Sequence, residues 1–324
     1  MRLFNLAASA AALIVSGLLG GGAALAQDFP NKPIRLIVGW PAGGTVDTVA
    51  RTLAPALAEE LGQPIVVENK PGASGSIGAA EVAAAKADGY TLGVVFDTQA
   101  VNHHIYRALR YDPIKSFTYI SRLVTAPQIL VAANSFQAND AAGLIEYAKA
   151  NPGNVTYAST GTGSSNHLNA LLLASQAGIE MLHIPYKGGA PALVDLAGGQ
   201  VNIMIVSAPS TIPLVTGGRI KALATGSTQP LSQLPGVRPI ADAVPRFEAS
   251  SWVGLIAPAG LPANALVRLQ AEVQKALKRA DVSLKLQSAG YNIVGDTSPE
   301  FTAFIERESK KWGQIIQKYK VAGN

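Results

Sequence analysis

The sequence predicts an α/β fold built as two lobes, each a β-sheet flanked by helices. A β-branched run, a glycine-rich loop and a helical pattern follow one another over residues 34–61, and the same order returns over residues 155–177. Two extended apolar runs, at 120–133 and 250–258, are long enough to pass from one lobe to the other. A mature chain of roughly 300 residues is also too large for one small core.

The first 26 residues have the features of a secretory signal peptide. Arg2 gives a basic start, an apolar stretch surrounds residues 13–15, and residues 24–26 read Ala-Leu-Ala, a typical cleavage site. The apolar stretch is short and interrupted by glycines, which disfavours a membrane anchor. We therefore expect cleavage before Gln27 and a mature protein in the periplasm.

Composition and charge exclude several classes of function. The sequence has no cysteine, which excludes disulfides, thiol catalysis and a lipid-modified cysteine. Arg2 is the one charged residue of the signal peptide, so its removal changes the formal net charge from +5 to +4. Lysine and arginine do not occur in blocks, so neither a nucleic-acid partner nor a membrane-binding surface is predicted. A weakly positive protein is compatible with a small anionic ligand.

The segment 34–61 predicts an anion-binding turn between a strand and a helix. Residues 34–38 are apolar and β-branched, residues 39–45 contain prolines and glycines, and residues 46–61 repeat apolar side chains at helical spacing. Backbone N–H groups of Gly43, Gly44 and Thr45, at the positive end of the helix dipole, suit an anion. A tight turn that binds nothing is the alternative for this segment alone. Pro55 is expected to kink the helix.

The rest of the first lobe is predicted to alternate strands and helices. A strand at 64–68, a glycine-rich loop at 69–78, a helix at 79–87 and a strand at 90–96 are predicted. The loop reads G-x-x-G-x-x-G rather than G-x-G-x-x-G, and no P-loop sequence occurs, so nucleotide binding is not predicted. Thr98 follows the last strand, where open α/β sheets gather ligands. The side chains of His103 and His104, being adjacent, should point apart without forming a metal site.

The second lobe is predicted to repeat the strand, loop and helix of the first. After a helix at 141–150 come a strand at 155–158, a loop of small residues at 159–165 and a helix at 166–177. Hydroxyl groups in this loop add donors to its backbone N–H groups; they belong to Ser159, Thr160, Thr162, Ser164 and Ser165. We call residues 39–45 the first cradle and residues 159–165 the second cradle. Two such loops on either side of a crossing segment favour the binding of an anion.

The remaining elements are predicted to complete both lobes. They are a strand at 181–185, a helix at 191–196, strands at 201–206 and 219–225, and helices at 263–279 and 299–318. Pro127 is expected to interrupt the first crossing run. The expected division is a first lobe of residues 27–126 and 252–324 and a second lobe of residues 127–251.

Catalysis by a serine and a histidine is an alternative that the sequence leaves open. Ser164 or Ser159 could act as the nucleophile of a secreted hydrolase, with His167 as its base. The G-x-S-x-G motif of many hydrolases is absent. Acidic residues are scattered singly, so a paired-carboxylate site is not predicted. A loop of small neutral residues holds a ligand without supplying a base, which favours binding over catalysis.

Several sequence blocks, in order along the mature chain, resemble the Bug family, the periplasmic solute receptors of tripartite tricarboxylate transporters. Blocks of the first lobe are PAGGTVD at 41–47 with Arg51, VENKPGA at 67–73 and DGYTL at 88–92. Later blocks are YASTGTGS at 157–164 with His167 and Leu168, PYKG at 185–188 and WVGLIAPAG at 252–260. The resemblance covers essentially the whole mature chain.

The resemblance implies a two-lobed periplasmic binding protein of type II whose lobes close on a small carboxylate. It implies that the loops 43–47 and 159–165 face each other across the cleft and hold the carboxylate through backbone and hydroxyl groups. The implied function is that of a receptor, not an enzyme, without cofactor or metal, which delivers its ligand to the membrane permease of a tripartite tricarboxylate transporter. A monomer is expected. A purely structural or sensory partner-binding protein is a further possibility.

Departures from the family pattern bear on which carboxylate is bound. Family members usually have a proline at the position of Gly39 and a phenylalanine or tyrosine at that of Trp40. Many carry an acid, which can contact a ligand amino or hydroxyl group, where this chain has Val206 and Ser207. The expected ligand is therefore an aromatic or otherwise apolar mono- or dicarboxylate such as terephthalate, and not an amino acid. The ligand-binding residues expected are Trp40, Ala42, Gly43, Gly44, Thr45, Asp47, Ser74, Thr98, Ser159, Thr160, Gly161, Thr162, Gly163, Ser164, Ser165, His167, Val206 and Ser207.

Overall fold

The structure is a computed structural model that describes residues 29–106, 108–227 and 231–322. The predicted signal peptide at 1–26 lies outside these residues. The strands of the described residues are β1 (Ile34–Val38), β2 (Ile65–Asn69), β3 (Thr91–Phe96), β4 (Phe117–Ala132), β5 (Val155–Ser159), β6 (Met181–Pro185), β7 (Ile203–Ser207), β8 (Lys221–Thr225), β9 (Ser250–Pro258) and β10 (Asn292–Ile293).

Helices connect these strands and cover the sheet. The α-helices of the described residues are α1 (Thr45–Leu61), α2 (Ser76–Ala83), α3 (Asn102–Ile105), α4 (Ala141–Ala150), α5 (Ser165–Ala177), α6 (Gly189–Ala197), α7 (Ala208–Thr216), α8 (Ala263–Lys278), α9 (Ala280–Ser288) and α10 (Ser298–Tyr319). Short 3-10 helices cover Ala73–Gly75, Asp97–Ala100 and Ile240–Asp242. None of the helices in the described ranges has a stretch long and apolar enough to span a bilayer.

The strands form a continuous sheet in which two parallel groups flank an antiparallel centre. The order is β2-β1-β3-β9-β4-β7-β5-β6, and β8 and β10 also pair with β4. The first group is β2, β1 and β3, the second is β6, β5 and β7, and each is connected strand to helix to strand. The predicted two-lobed α/β fold is confirmed, and the two lobes share a topology. Each cradle therefore lies at the carboxyl end of its strand, the edge at which open α/β sheets bind ligands.

The strand β4 joins the two halves of the sheet. It pairs with β9 and β10 in its first part and with β7 and β8 in its last part. Pro127 does not interrupt β4, contrary to the prediction. It lies opposite Ser250, the first residue of β9, so the missing N–H falls where that ladder ends. The change of partners along β4 supports the proposed lobe boundary at 126/127.

The predicted apolar stripe of α1 fixes the helix on the first lobe. Val49, Leu53 and Leu57 are at most 1% exposed and belong to a hydrophobic cluster with Leu269 of α8 and Leu36 of β1. Burying each leucine side chain contributes about 1.5–3 kcal/mol. This packing sets where α1 begins, and so where its first backbone N–H groups lie. The helix continues through Pro55 as a single element.

Three helices, α7, α9 and α2, differ from the sequence-based expectation. α7 was not predicted because Pro209 and Pro213 lie within it; the first occupies the opening turn, where proline has no hydrogen bond to lose. α9 was not predicted because its apolar spacing is short; it begins directly after Arg279, whose extended backbone ends α8. α2 ends at Ala83, earlier than the predicted helix at 79–87.

Candidate functional site

The first cradle ends in a helix that begins without a side-chain cap. Gly44 is the N-cap of α1, with extended backbone (φ −78°, ψ 174°), and among the described residues no side chain caps the first helical turn. The N–H groups of that turn have no intrahelical acceptor, so they can bind an anion. Within this loop Gly43 has a positive φ (78°), whereas Gly44 does not. Ala42 and Gly43 are exposed, while Gly44 and Thr45 are partly exposed.

Asp47 braces the first cradle from inside. Its carboxylate accepts hydrogen bonds from the backbone N–H of Gly43 at 2.8 Å, from Nδ2 of Asn69 at 2.8 Å and from Nε of Arg51 at 3.0 Å. Asn69 also donates to the carbonyl of Trp40 at 3.0 Å. Burial alone would raise the pKa of Asp47, but Arg51 and the other donors outweigh it and lower that pKa. Asp47 is 2% exposed, and its carboxylate stabilises the conformation of the loop through these hydrogen bonds. Its predicted contact with a ligand stays a prediction.

The second cradle uses several of its own hydroxyl groups to hold its shape. Ser164 is the N-cap of α5: its Oγ accepts from the backbone N–H of His167 at 3.4 Å and donates to the carbonyl of Gly161 at 2.7 Å. Oγ1 of Thr160 donates to Oδ1 of Asn166 at 2.9 Å. These hydroxyls were predicted as ligand donors, but a tight loop must satisfy its own polar groups first.

Two further residues of the second cradle differ in exposure. Thr162 is exposed at the tip of the loop. Oγ of Ser159 bonds to the carbonyl and N–H of Gly161 at 3.1 Å each, and Ser159 is fully buried. Thr162 is therefore better placed than Ser159 to meet a ligand.

Three aromatic rings stack against the second cradle. The rings of His167 and His183 have centroids 4.0 Å apart, and Tyr157 stacks on His183 at 5.0 Å. Nδ1 of His167 accepts from the N–H of Gly163 at 3.0 Å, and Nε2 of His183 lies 2.6 Å from Oγ of Ser159. Burial, and then the neighbouring His183, lower the pKa of His167 to about 4; burial also lowers the pKa of His183. Both imidazoles are neutral at pH 7.

The serine–histidine pair required for hydrolysis does not form. Ser164 contacts the backbone N–H of His167 rather than its ring, and Nδ1 of that ring already accepts from Gly163. Ser159 does bond to a histidine ring, that of His183, but its complete burial denies it access to a substrate. A histidine whose pKa is about 4 is also a weak general base at neutral pH.

Ser74 lies in the 3-10 helix between β2 and α2, in a strained backbone conformation. Its φ of 53° is rare for a residue with a side chain and costs about 1–3 kcal/mol, a strain that clusters at functional sites. The surrounding contacts hold it there. Oγ1 of Thr98 and Nδ2 of Asn102 donate to its carbonyl at 2.9 and 3.2 Å, and its Oγ lies 3.0 Å from the hydroxyl of Tyr106. The structure thus brings the predicted residues Ser74 and Thr98 together and adds Tyr106, which the sequence did not indicate.

Trp40 lies at the surface of the first lobe, with its side chain packed against that lobe. The indole is partly buried and meets Phe96 edge to face, with ring centroids 5.7 Å apart. It also lies against the backbone of Gly75, where a Cβ would come 3.1 Å from Nε1 of the indole. The neighbouring loop thereby holds the indole in place. An apolar aromatic surface lies beside Ser74 and Thr98 as a result.

The end of β7 carries no acid. Val206 is 5% exposed, belongs to the hydrophobic core and pairs with Ile129 of β4. Oγ of Ser207 lies 3.3 Å from Oγ of Ser210, and its carbonyl accepts from Thr211. The side chains at this strand end therefore offer hydroxyl groups without a negative charge.

The second cradle touches the first lobe directly. Oγ of Ser165 donates to Oδ1 of Asp97 at 2.7 Å. Gly163, with φ of 79°, is buried against Ile105: a Cβ added to Gly163 would lie 2.6 Å from Cδ1 of that isoleucine. The backbone of the second cradle approaches the first lobe as closely as glycine alone permits.

The prediction for His103 and His104 was wrong in geometry. Their rings lie 3.9 Å apart rather than pointing apart, because both bond to Ser309 of α10. Neither is joined by further ligands: within the part of the chain that the structure describes, no group of three or more His, Cys, Asp or Glu side chains could hold a metal ion.

Comparison with known proteins places these features in a family. The chain matches the sequence model of the tripartite tricarboxylate transporter family receptor over residues 49–321. It is similar to BugT of Bordetella pertussis, with 33% identity over 296 residues that cover 90% of this chain and 91% of BugT.

Solved structures are similar over the same extent. Rpa4515 of R. palustris with adipate has a TM-score of 0.82 and 33% identity, covering 91% of this chain and 99% of that chain. MatC (Rpa3494) of Rhodopseudomonas palustris with bound malate has a TM-score of 0.78 and 30% identity, covering 89% and 100%. The similarity includes both lobes.

Proposed function

The chain belongs to the tripartite tricarboxylate transporter receptor family, and from this premise we propose that its ligand is a small dicarboxylate with an apolar or aromatic body. Members of the family are periplasmic solute-binding receptors and not enzymes, so the serine hydrolase alternative is wrong. In our proposal the first cradle holds one carboxylate of the ligand and the second cradle holds the other.

The uncapped start of α1 is the observation that carries this proposal. Gly44 leaves the N–H groups of the first helical turn without a side-chain acceptor, at the positive end of the helix dipole. A carboxylate placed there would receive charge-assisted hydrogen bonds, each worth about 1.5–3 kcal/mol. The nearest acid, Asp47, does not repel it strongly because Arg51 and Asn69 already pair with that carboxylate.

Relatives of the chain support a ligand with two carboxylates. Rpa4515 is described with adipate and MatC with malate, and each of these ions carries a carboxylate at both ends. A cradle at the carboxyl end of β1 and another at that of β5 would match such a ligand. Thr162 and Thr45, both at least partly exposed, would add hydroxyl donors at the two ends.

The side chains around the cradles favour an apolar ligand body over an amino acid. Val206 and Ser207 supply no counter-charge for an ammonium group, whose desolvation would then cost several kcal/mol. Trp40 supplies an aromatic surface beside Ser74. Burying roughly 100 Å² of a ligand ring on such a surface would contribute about 2.5 kcal/mol at about 25 cal/mol per Å². Terephthalate and adipate fit this description better than glutamate or citrate.

The receptor would act as a monomer in the periplasm after removal of residues 1–26, and would deliver its ligand to the membrane permease of a tripartite tricarboxylate transporter. Neither cradle contains a charged side chain, so no cofactor or metal is invoked for binding.

Isothermal titration calorimetry of residues 27–324 tests the proposal. The ligands are terephthalate, adipate, benzoate, succinate, citrate and glutamate, each titrated with and without a chelator. We expect one dicarboxylate per receptor, unchanged affinity with chelator, and an acid that is recovered chemically unaltered. Binding of sugars or cations alone, or loss of affinity on chelation, contradicts the carboxylate proposal. Tightest binding of citrate or glutamate contradicts only the apolar ligand body.

A further inference from the structure

A carboxyl group of the first lobe is bonded to the helix that begins at the second cradle. Asp97 is the first residue after β3, and its Oδ1 accepts from Oγ of Ser165 at 2.7 Å. Ser165 opens α5, whose N-cap is Ser164. A change at Asp97 therefore acts directly on one of the two proposed carboxylate-binding elements.

Beside this bond lies a small cavity with an acceptor that lacks a donor. Asp97, Ser165, Asn169 and Trp312 contribute to its lining, and its volume of about 10 Å³ is about the minimum that accommodates one water. Asn169 is 2% exposed, and its Oδ1 has no hydrogen-bond partner among the described residues. Buried acceptors are nearly always paired, so a donor is missing at this place. The hydroxyl of Ser165 cannot supply it, because that group already donates to Asp97.

The groups that face Asp97 do not include a positively charged side chain among the described residues. From α10, Glu308 raises its pKa; from its own segment and α5, the N–H of Thr98 and the hydroxyl of Ser165 lower it. No lysine, arginine or histidine lines the cavity among the described residues. Although Asp97 as a whole is only partly buried, desolvation of its carboxyl group is the largest effect and raises its pKa to about 7.

We propose that the receptor binds a proton together with its carboxylate ligand: as the lobes close, Asp97 takes up a proton from solvent and donates it to Oδ1 of Asn169, directly or through one water in the cavity. The step forms one O–H bond, removes the negative charge of Asp97 and satisfies the orphan acceptor. The inference rests on the proposed function, because it requires a ligand that closes the lobes.

The sign of the coupling follows from the two states. An Asp97 exposed to solvent by opening of the lobes would have the reference aspartate pKa of about 3.9, whereas with the lobes in contact, as in this structure, burial raises its pKa to about 7. Between these values closure takes up a proton, so acidification strengthens binding. At pH 7 we expect uptake of about half a proton per ligand, and Kd about tenfold lower at pH 6 than at pH 8.

Calorimetry in buffers of different ionisation enthalpy measures this proton directly. Residues 27–324 are titrated with terephthalate and with adipate at pH 7 in phosphate and in Tris, and with terephthalate, both of whose carboxyl groups stay ionised, at pH 6 and 8. The wild type alone decides the matter: a binding heat independent of buffer overturns the inference while leaving the receptor function intact. Binding of neither acid contradicts the receptor function and the inference together.

Variants identify the group that takes up the proton. Asp97→Asn keeps an acceptor for Ser165 but cannot titrate, so we expect buffer-independent heat and a Kd that is constant from pH 6 to 8. Asp88→Asn, a matched control in the turn before β3 whose side chain is 41% exposed, keeps the wild-type uptake. Ser165→Ala removes a donor that favours the charged form, so half-maximal uptake moves to higher pH. A purely structural role of Asp97 would change Kd and leave the number of protons as in the wild type.

Discussion

His167 and His183 lie face to face, with ring centroids 4.0 Å apart and ring planes within 5° of parallel. The first binds the N–H of Gly163 and the second binds the hydroxyl of Ser159, so the pair holds the second cradle at both of its ends. Two imidazolium ions at this separation would repel each other. The shape of the loop therefore depends on both rings being neutral.

This dependence predicts a loss of stability in acid. The pKa of His167 is about 4 when folded and about 6.5 when unfolded, so the unfolded chain binds the extra proton between these values. Stability is complete above pH 6.5 and declines as the pH is lowered towards 4, by about 2 kcal/mol between pH 7.5 and pH 5 for this residue. Urea unfolding at the two pH values measures the decline.

Between pH 7.5 and pH 5, the free energy of unfolding of the His167→Gln variant should decrease by about 2 kcal/mol less than that of the wild type. If the free energy of unfolding depends on pH equally in the wild type and in His167→Gln, His167 is excluded as the origin of the effect.

The contact between Gly163 and Ile105 predicts a separate effect on affinity. Alanine at position 163 introduces strain of about 1 kcal/mol at positive φ and places Cβ 2.6 Å from Cδ1 of Ile105. That overlap costs about 1–3 kcal/mol in the state where the lobes touch, so ligand affinity should fall at least about fivefold. Calorimetry measures affinity, and thermal unfolding measures stability.

Gly178→Ala provides a matched control, because Gly178 also has positive φ (65°) but has open space around its Cβ position. It should lose about 1 kcal/mol of stability without any loss of affinity. Ile105→Val deletes Cδ1 and leaves Cγ2 3.2 Å from the added Cβ, so combining it with Gly163→Ala should restore part of the lost affinity. Unchanged affinity in Gly163→Ala would show that the contact plays no part in ligand-bound closure.

The bracing of the first cradle predicts that Asp47→Ala weakens both folding and binding. The substitution leaves the N–H of Gly43 without its acceptor and removes one of the two acceptors of Nδ2 of Asn69. The free energy of unfolding should fall by about 2–3 kcal/mol, as measured by urea unfolding. Ligand affinity should fall with it, because the loop loses its shape.

Asp242→Ala is the comparison for this prediction. Asp242 also forms an ion pair with an arginine four residues away, Arg238, at 2.8 Å, but the two side chains are 42% and 80% exposed. Its loss should change the free energy of unfolding by less than about 0.5 kcal/mol. Similar effects of the two substitutions would mean that burial of Asp47 does not matter.

The position of Trp40 predicts that ligand binding changes the intrinsic tryptophan fluorescence. Of the three tryptophans, Trp252 and Trp312 are 1% and 7% exposed, while Trp40 is partly exposed at the proposed site. Terephthalate should change the intrinsic fluorescence, and Trp40→Phe should remove that change. The smaller ring should also weaken terephthalate more than succinate, by up to about 1 kcal/mol.

Trp252→Phe is the control for the fluorescence experiment and should keep the signal, because Trp252 is 1% exposed in the hydrophobic core. A signal that persists in Trp40→Phe would place the ligand away from this indole. Equal weakening of terephthalate and succinate would show that Trp40 does not contribute an apolar wall.

Local patterns were sufficient to predict the elements that carry the cradles. Glycine-rich loops after β-branched runs are encoded by neighbouring residues, so β1, β5 and the helices α1 and α5 appear where they were expected. α7 escaped prediction because a helix with two prolines is stabilised by tertiary packing rather than by its own propensity.

The inner geometry of the site could not be predicted in the same way. Tyr106 reaches Ser74 across 32 residues, and His183 reaches Ser159 across a neighbouring parallel strand. Such contacts depend on sheet register, which a local pattern does not specify. The sequence also could not show that the hydroxyl groups of Ser164 and Thr160 form hydrogen bonds near their own loop. A serine or threonine looks the same in a sequence whether its hydroxyl group binds a ligand or another group of the protein.

The strand order has a consequence for how an exported chain folds as it emerges from its N-terminal end. β3 has β1 on one side and β9 on the other, so one edge of the first parallel group stays unpaired until residues 250–258 have emerged. The group of β5, β6 and β7 finds its neighbour β4 much earlier. The second lobe, which is contiguous in sequence, can therefore be completed before the first lobe, which contains the beginning of the mature chain. During that interval the nascent first half exposes a strand edge prone to aggregation, and it is the segment for which a chaperone would matter most.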